Sequence, residues 1–177
     1  MLNKMIFNPN PQNTRRHPKM PEELHIRIRK AKANDISAIA SIEQQLFPNP
    51  WQKSYFTHEL SHDISYFYAA EDHLTHQVAG YIIFWIIEDL LELHKIVTAK
   101  NYKKKGIGKQ LFLFMLRIAR QKKVKDIFLE VRKSNTEAIK FYESFHFELA
   151  GIREAYYHNP AEDALIYRLK FDSFLKK

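Results

Sequence analysis

The segment His25-Ile26-Arg27-Ile28-Arg29 alternates apolar with polar residues, the period of a strand with one buried face. The period then changes. Ile36, Ile39, Ile42 and Leu46 recur at helical spacing, which predicts a helix over 34–46 with Asn34 or Asp35 as cap. Asn49-Pro50-Trp51 reads as the start of a second helix, Asn at the N-cap and Pro at the first helical position, running to about His62. Ser65–Glu71 and Val78–Glu88 are rich in Tyr, Phe and Ile and predict two strands joined by the polar turn Asp72–Gln77, with Leu91–Thr98 as a third. A strong helix follows over Lys109–Gln121, with Leu111, Met115 and Ile118 on one face. Asp126–Arg132 alternates again: Ile127, Leu129 and Val131 share one side, Phe128, Glu130 and Arg132 the other. Ser134-Asn135-Thr136-Glu137 has the spacing of a capping box and opens a short helix to about Phe145. Phe147–Tyr157 and Ala164–Phe171 complete the set as strands. The order β-α-α-β-β-β-α-β-α-β-β predicts an α/β fold in which helices flank a mixed sheet.

Composition narrows this picture. The chain has 177 residues, 45% of them apolar, which suits one globular domain. No apolar run approaches the roughly 18 residues of a membrane span, so a soluble protein with no membrane partner is expected. With no Cys, disulfides and thiol nucleophiles are excluded and a cytoplasmic location is expected. The formal net charge of +8 calls for anionic partners, and it divides unevenly. Residues 1–20 hold Lys4, Arg15, Arg16 and Lys19 and no acid, and four of the seven prolines lie before residue 22. Residues 1–22 therefore read as a flexible basic tail without the apolar stretch of a secretory signal, either an RNA-contacting arm or a solvated leader. Residues 23–177 read as the folded domain.

The chain uses only four glycines, and two of them, Gly106 and Gly108, are one residue apart. They follow Lys103-Lys104-Lys105 and precede the helix that begins near Lys109. A strand, a basic glycine loop and a helix N-terminus form a phosphate-binding arrangement: glycine permits close approach, the helix end offers unpaired N–H groups, and lysines add charge. A tight turn flanked by solvated lysines is the plainer reading. A dinucleotide fingerprint is excluded because Leu111 stands where the third glycine should be. A Walker A loop is excluded because Lys103 stands where its first glycine should be and Gln110 where Ser or Thr should follow.

At this loop the sequence resembles a family. Lys103-Lys104-Lys105-Gly106-Ile107-Gly108 is similar to the acetyl-CoA pyrophosphate loop of the GNAT N-acetyltransferases. Leu129-Glu130-Val131-Arg132-Lys133-Ser134-Asn135 and Ala138-Ile139-Lys140-Phe141-Tyr142-Glu143-Ser144 resemble two segments of the RimI-type enzymes within that family. Asn49-Pro50-Trp51, Tyr156-Tyr157 and Glu162-Asp163-Ala164 resemble further pieces in the same order. The likeness covers about residues 25–170. It implies a mostly antiparallel sheet with splayed strands, acetyl-CoA as cosubstrate, no metal, and transfer of acetyl to a protein N-terminal amine. For RimI-type enzymes that amine is the N-terminal Ala of a small-subunit ribosomal protein. Another amine (a lysine side chain, other protein N-termini or a polyamine) is the alternative acceptor. Two positions depart from the pattern: Lys103 replaces the usual Gln or Arg, and His146 stands where Gly usually follows the Tyr helix.

The resemblance also implies roles. Glu130 matches the general base, acting directly or through water; an ion pair with Arg132 would explain it equally. Tyr142 matches the general acid for the leaving thiolate; a core Tyr bonded to the backbone is the alternative. The main chain around Ile96, Val97 and Thr98 would polarise the thioester carbonyl, although Ile96 and Val97 also fit a core. Lys104, Lys105, Gly106, Ile107, Gly108 and Lys109 would cradle the pyrophosphate, and Asn135 would contact CoA or simply open its helix.

Two readings of another class compete. His58-Glu59-Leu60-Ser61-His62 matches the His-Glu-x-x-His pattern of zinc hydrolases, but no third ligand helix follows. Arg117, Arg120, Lys122, Lys123 and Lys125 could form an RNA-binding face, which would leave Glu130 and Tyr142 without a purpose.

Overall fold

The computed structural model describes residues 25–174. The expected basic tail over 1–22, and any RNA contact through it, lie outside them. In chain order the elements are β1 (Ile26–Lys30), a 3-10 turn (Ala33–Asp35), α1 (Ile36–Leu46), α2 (Lys53–Ser61), β2 (Ser65–Asp72), β3 (Val78–Ile87) and β4 (Leu90–Thr98). A 3-10 turn (Lys100–Tyr102), α3 (Ile107–Gln121), β5 (Asp126–Arg132), α4 (Thr136–Glu143), β6 (Glu148–His158), β7 (Ala161–Lys170) and α5 (Phe171–Phe174) follow. The strands form one seven-stranded sheet in the order β1-β2-β3-β4-β5-β7-β6. Every neighbouring pair is antiparallel except β4 and β5. A parallel pair needs a long crossover, and α3 supplies it. The expected mixed sheet flanked by helices is the observed architecture.

Both faces of the sheet are covered at the central strand β3, which is apolar almost throughout. Its Ile82, Phe84 and Ile86 join Leu111, Phe112 and Met115 of α3 and Leu91, Ile127 and Leu129 in one core. Its Tyr81 and Ile83 face the other way, against Ile39 and Ile42 of α1 and Phe56 of α2. Gly80 sits where β3 and β4 crowd together: a Cβ there would lie 2.5 Å from the Val97 carbonyl oxygen.

Two helix starts differ from expectation. Asn49 is not an N-cap, and α2 begins at Lys53 behind Gln52. The Trp51 N–H instead donates to Glu43 Oε2 (3.0 Å), and the Asn49 amide reaches the Asn159 carbonyl (3.4 Å), so tertiary bonds hold this segment extended. Ser134 and Glu137 form no capping box either. Asn135 is the N-cap of α4, its Oδ1 accepting the Ala138 N–H (3.2 Å), while the Ser134 N–H donates to Glu162. At the start of α1 the Asp35 carboxylate makes no cap to that helix. It accepts from the Lys32 N–H (2.8 Å) and pairs with Arg29 (2.7 Å), which also pairs with Glu71.

The junction of β4 and β5 is short. The two strands pair over four rungs, from Leu90/Asp126 to Leu93/Leu129, and no further. On the other side of β4, Ile83 opposes Lys95 while Phe84 opposes Leu93, so His94 is the extra residue of a β-bulge. A bulge bends and twists its strand, and here it turns β4 away from β5. The sheet opens into a fork whose arms are residues 94–98 and 130–132.

Candidate active site

Four features converge on the fork. The first is the α3 N-terminus at the far end of β4. Gly106 is its N-cap, with φ +77°. A left-handed residue there suits glycine, which lacks a side chain to clash. Lys104 also has positive φ, and Lys103–Lys105 are exposed. The first bond into the helix is the Gln110 N–H to the Gly106 carbonyl (3.0 Å), so the N–H groups of Ile107, Gly108 and Lys109 precede the ladder. Thr98 Oγ1 lies 3.5 Å from the place a Gly108 Cβ would occupy, which brings the end of β4 against this loop. Unpaired helix N–H groups beside lysines are suited to a pyrophosphate.

The second feature is the inner edge of β4. Successive N–H groups of a strand point to opposite neighbours. Ile96, Val97 and Thr98 pair with Ile82, Tyr81 and Gly80 of β3 on one side, and among the described residues no strand pairs with them on the other. The alternation turns the Ile96 and Thr98 main chain toward the gap and the Val97 carbonyl toward β3, while the Val97 side chain is buried and Ile96 packs on the core.

Glu130 is the third. It is the first residue of β5 past the last rung, on the face opposite Leu129, with its side chain 31% exposed. Its carboxylate is not paired with Arg132: Arg153 of β6 donates to Glu130 Oε1 at 2.7 Å, whereas Arg132 pairs with Glu162 (3.3 Å) and stacks on Tyr157 (3.9 Å). Arg153 also stacks on Tyr156 (4.1 Å). Burial foremost, and then the Glu130 charge, hold the Tyr156 and Tyr157 phenols in their protonated form.

Tyr142 of α4 is the fourth, 7% exposed among Phe112, Phe141 and Phe147. Burial raises its pKa above that of a free phenol, with Tyr157 adding to the shift. No group among the described residues hydrogen-bonds its hydroxyl, which removes the backbone-bonded alternative. The helix end fixes it instead: the Phe147 N–H donates to the Tyr142 carbonyl (3.2 Å) and the His146 N–H to the Glu143 carbonyl (2.9 Å), with His146 at φ +64°. This is a Schellman ending, with His146 in the left-handed place usually given to glycine. Asn135 spends its side-chain oxygen on the α4 cap.

One group was not foreseen. Glu43, 0% exposed, accepts two bonds from the Lys95 ammonium (2.9 and 3.0 Å), one from the Tyr81 hydroxyl and one from the Trp51 N–H. The Lys95 ammonium also lies over the rings of Phe47 (4.5 Å) and Trp51 (4.9 Å). Burial lowers the Lys95 pKa and the Glu43 partnership opposes that. The readable signal was a carboxylate in phase with Ile36 and Ile39 on the apolar stripe of α1.

The His58-Glu59-x-x-His62 segment is engaged otherwise. Glu59 Oε2 accepts from the Ser65 hydroxyl (2.5 Å) and from Trp85 Nε1 (2.8 Å), and the His62 ring stacks on Trp85. Among the described residues no three His, Cys, Asp or Glu side chains converge as a metal site. Among them, too, no helix is long and apolar enough to cross a membrane.

The chain resembles known proteins along most of its length. A Bacillus subtilis (strain 168) relative, provisionally named a ribosomal protein bS18-alanine N-acetyltransferase, is 33% identical over 139 residues, covering 78% of this chain and 91% of the relative. The ribosomal protein bS18-alanine N-acetyltransferase of Salmonella typhimurium is 30% identical, over 76% of this chain and 90% of its own. The crystal structure of the ribosomal-protein-S18-alanine N-acetyltransferase from Escherichia coli superposes with a TM-score of 0.76 at 28% identity, over 83% of this chain and 94% of that one. Residues 36–147 match the model of the acetyltransferase (GNAT) family. The fork, the basic glycine loop and these similarities together place the chain in the GNAT acetyltransferase family.

Proposed function

We propose that the protein is an acetyl-CoA-dependent α-N-acetyltransferase acting on the N-terminal alanine of ribosomal protein S18. One observation carries the transfer chemistry: past Leu93/Leu129 the sheet opens between β4 and β5 beside Glu130, and no described residue hydrogen-bonds the Tyr142 hydroxyl. The similarity to S18-alanine acetyltransferases over most of the chain supports the acceptor. A cytoplasmic location accords with such a substrate.

Acetyl-CoA supplies a thioester whose carbonyl carbon the amine attacks. The residues of this chain do the rest by positioning and by moving protons. The N–H groups of Ile107, Gly108 and Lys109, with Lys104, Lys105 and the glycines, hold the pyrophosphate. Asn135 adds a contact to CoA. The inner main chain of Ile96–Thr98 stabilises the charge that develops on the carbonyl oxygen. Glu130 draws the ammonium of the acceptor into the fork and promotes its deprotonation. Tyr142 gives its proton to the sulfur as it leaves. Asn49 and Asn159, in contact across the α1–α2 loop and the β6–β7 hairpin, rim the approach for an extended peptide.

The test is an acetyl-transfer assay with an Ala-Arg-initiated peptide, the same peptide with a blocked N-terminus, and lysine-containing peptides. The reading expects acetyl on the free α-amine alone. Transfer confined to lysine side chains would sink it.

A further inference from the structure

Glu130 is not alone at the fork. Leu93 and Leu129 form the last rung, so the next residues outward are His94 on β4 and Glu130 on β5. Leu93 and Leu129 both enter the α3-side core, which sends Glu130 to the opposite face. His94 is on that face too: its ring packs on Trp85 at 4.4 Å, and Trp85 donates to Glu59 of α2. The residue is exposed overall and its side chain keeps 27% exposure, so the ring is packed on Trp85 without being closed off.

We infer that the His94 imidazole is the group that takes the proton from the acceptor ammonium, with the Glu130 carboxylate facing it and stabilising the imidazolium. The inference rests on the acetyl-transfer reading above but not on which protein is acetylated. Imidazoles titrate near 6.5 and α-amines near 8, a closer match than a carboxylate near 4 offers. Glu130 Oε1 is also already occupied by Arg153. The charged groups that act on His94 are Glu92 on its own strand (Oε2 at 3.8 Å from Nε2), Glu59 on α2 and Glu130 on β5. Burial outweighs the three carboxylates and lowers its pKa, leaving the ring neutral at pH 7 and able to accept. The protons balance. One N–H of the ammonium goes to His94 and from there to solvent. The freed lone pair forms the C–N bond and the C–S bond breaks. The nitrogen loses its second proton to water, while Tyr142 protonates sulfur and regains a proton from solvent.

The experiment compares wild type, His94→Gln, Glu130→Gln and the control His58→Gln by kcat/KM from pH 5.5 to 9.5, with NMR titration of the His94 ring. In His94→Gln a loss of about ten-fold or more is expected at pH 7, shrinking toward pH 9, where the amine deprotonates unaided. The rising limb should move from below 6.5 to about 8, while His58→Gln keeps the wild-type profile. A loss by the same factor at every pH, or none, overturns the assignment. Removing the Glu130 charge should lower the NMR pKa of His94 further; an unchanged titration overturns the facing pair. If wild type ignores Ala-Arg peptides, the S18 reading fails, while the NMR arm and any amine that is turned over still decide on His94.

Discussion

Tyr142 carries one hydroxyl that nothing among the described residues accepts or donates to, inside a wall of Phe112, Phe141 and Phe147. Removing that oxygen should therefore cost chemistry and little stability. Tyr142→Phe is expected to lower kcat about 100-fold, within the usual span for a general acid, while acetyl-CoA affinity by calorimetry and the melting temperature stay near wild type. Equal turnover in the two proteins would remove Tyr142 as the acid. Glu43 is the opposite case. Glu43→Ala strands the Lys95 ammonium, the Tyr81 hydroxyl and the Trp51 N–H together. Loss of one partner of a buried pair costs about 3–5 kcal/mol, and urea unfolding should show it as a lower midpoint with an unchanged slope.

Among the elements, the end of α4 sets where Tyr142 sits, and His146 holds that end in a conformation that costs an L-residue about 1 kcal/mol or more. His146→Gly should raise the melting temperature by about 2–4 °C without moving the acid; a fall in thermal scans would contradict the strain. Gly80→Ala should do the reverse, because its Cβ would meet the Val97 carbonyl at 2.5 Å and push β4 from β3 beside the fork. A loss of about 1–3 kcal/mol is expected for such overpacking, read by denaturation, together with a weaker acetyl-CoA complex. These elements were legible to different degrees. Asp126–Arg132 was readable to the residue because its alternation reports a strand with one fully buried face, and the Gly106 turn because few other residues tolerate that φ. Asn49 and Ser134 misled because their local capping signals lost to long-range partners, the Asn159 carbonyl and Glu162. The partner of Glu130 was missed for the same reason: Arg153 lies 23 positions on, in a strand whose irregular register no local period encodes.

The molecule as a whole ties its first strand and first helix by one cation, Arg29, shared between Asp35 and Glu71. Burial would raise the pKa of Asp35, but the Arg29 guanidinium and the Lys32 N–H outweigh it and hold the carboxyl below its ordinary value. The Arg29 hydrogen bond, against a smaller effect of burial, lowers Glu71 likewise. Carboxylates whose folded pKa is depressed contribute stability that is complete above their unfolded values near 4 and that disappears as pH falls through the lower folded values. Urea midpoints should therefore be steady from pH 7 to 5 and drop toward pH 3, and Arg29→Met should flatten that drop.

The four-rung junction has a mechanical consequence. It leaves β1–β4 and β5–β7 as two leaves of one book, bound along a spine about as long as two turns of helix. In the proposed mechanism each leaf carries half of the reaction: the main chain that would meet the carbonyl belongs to one, Glu130 to the other. Amide exchange at residues 94–98 and 130–132 should therefore be fast beside that of the rungs, and acetyl-CoA should slow both arms together, as a page held between two covers keeps them from swinging.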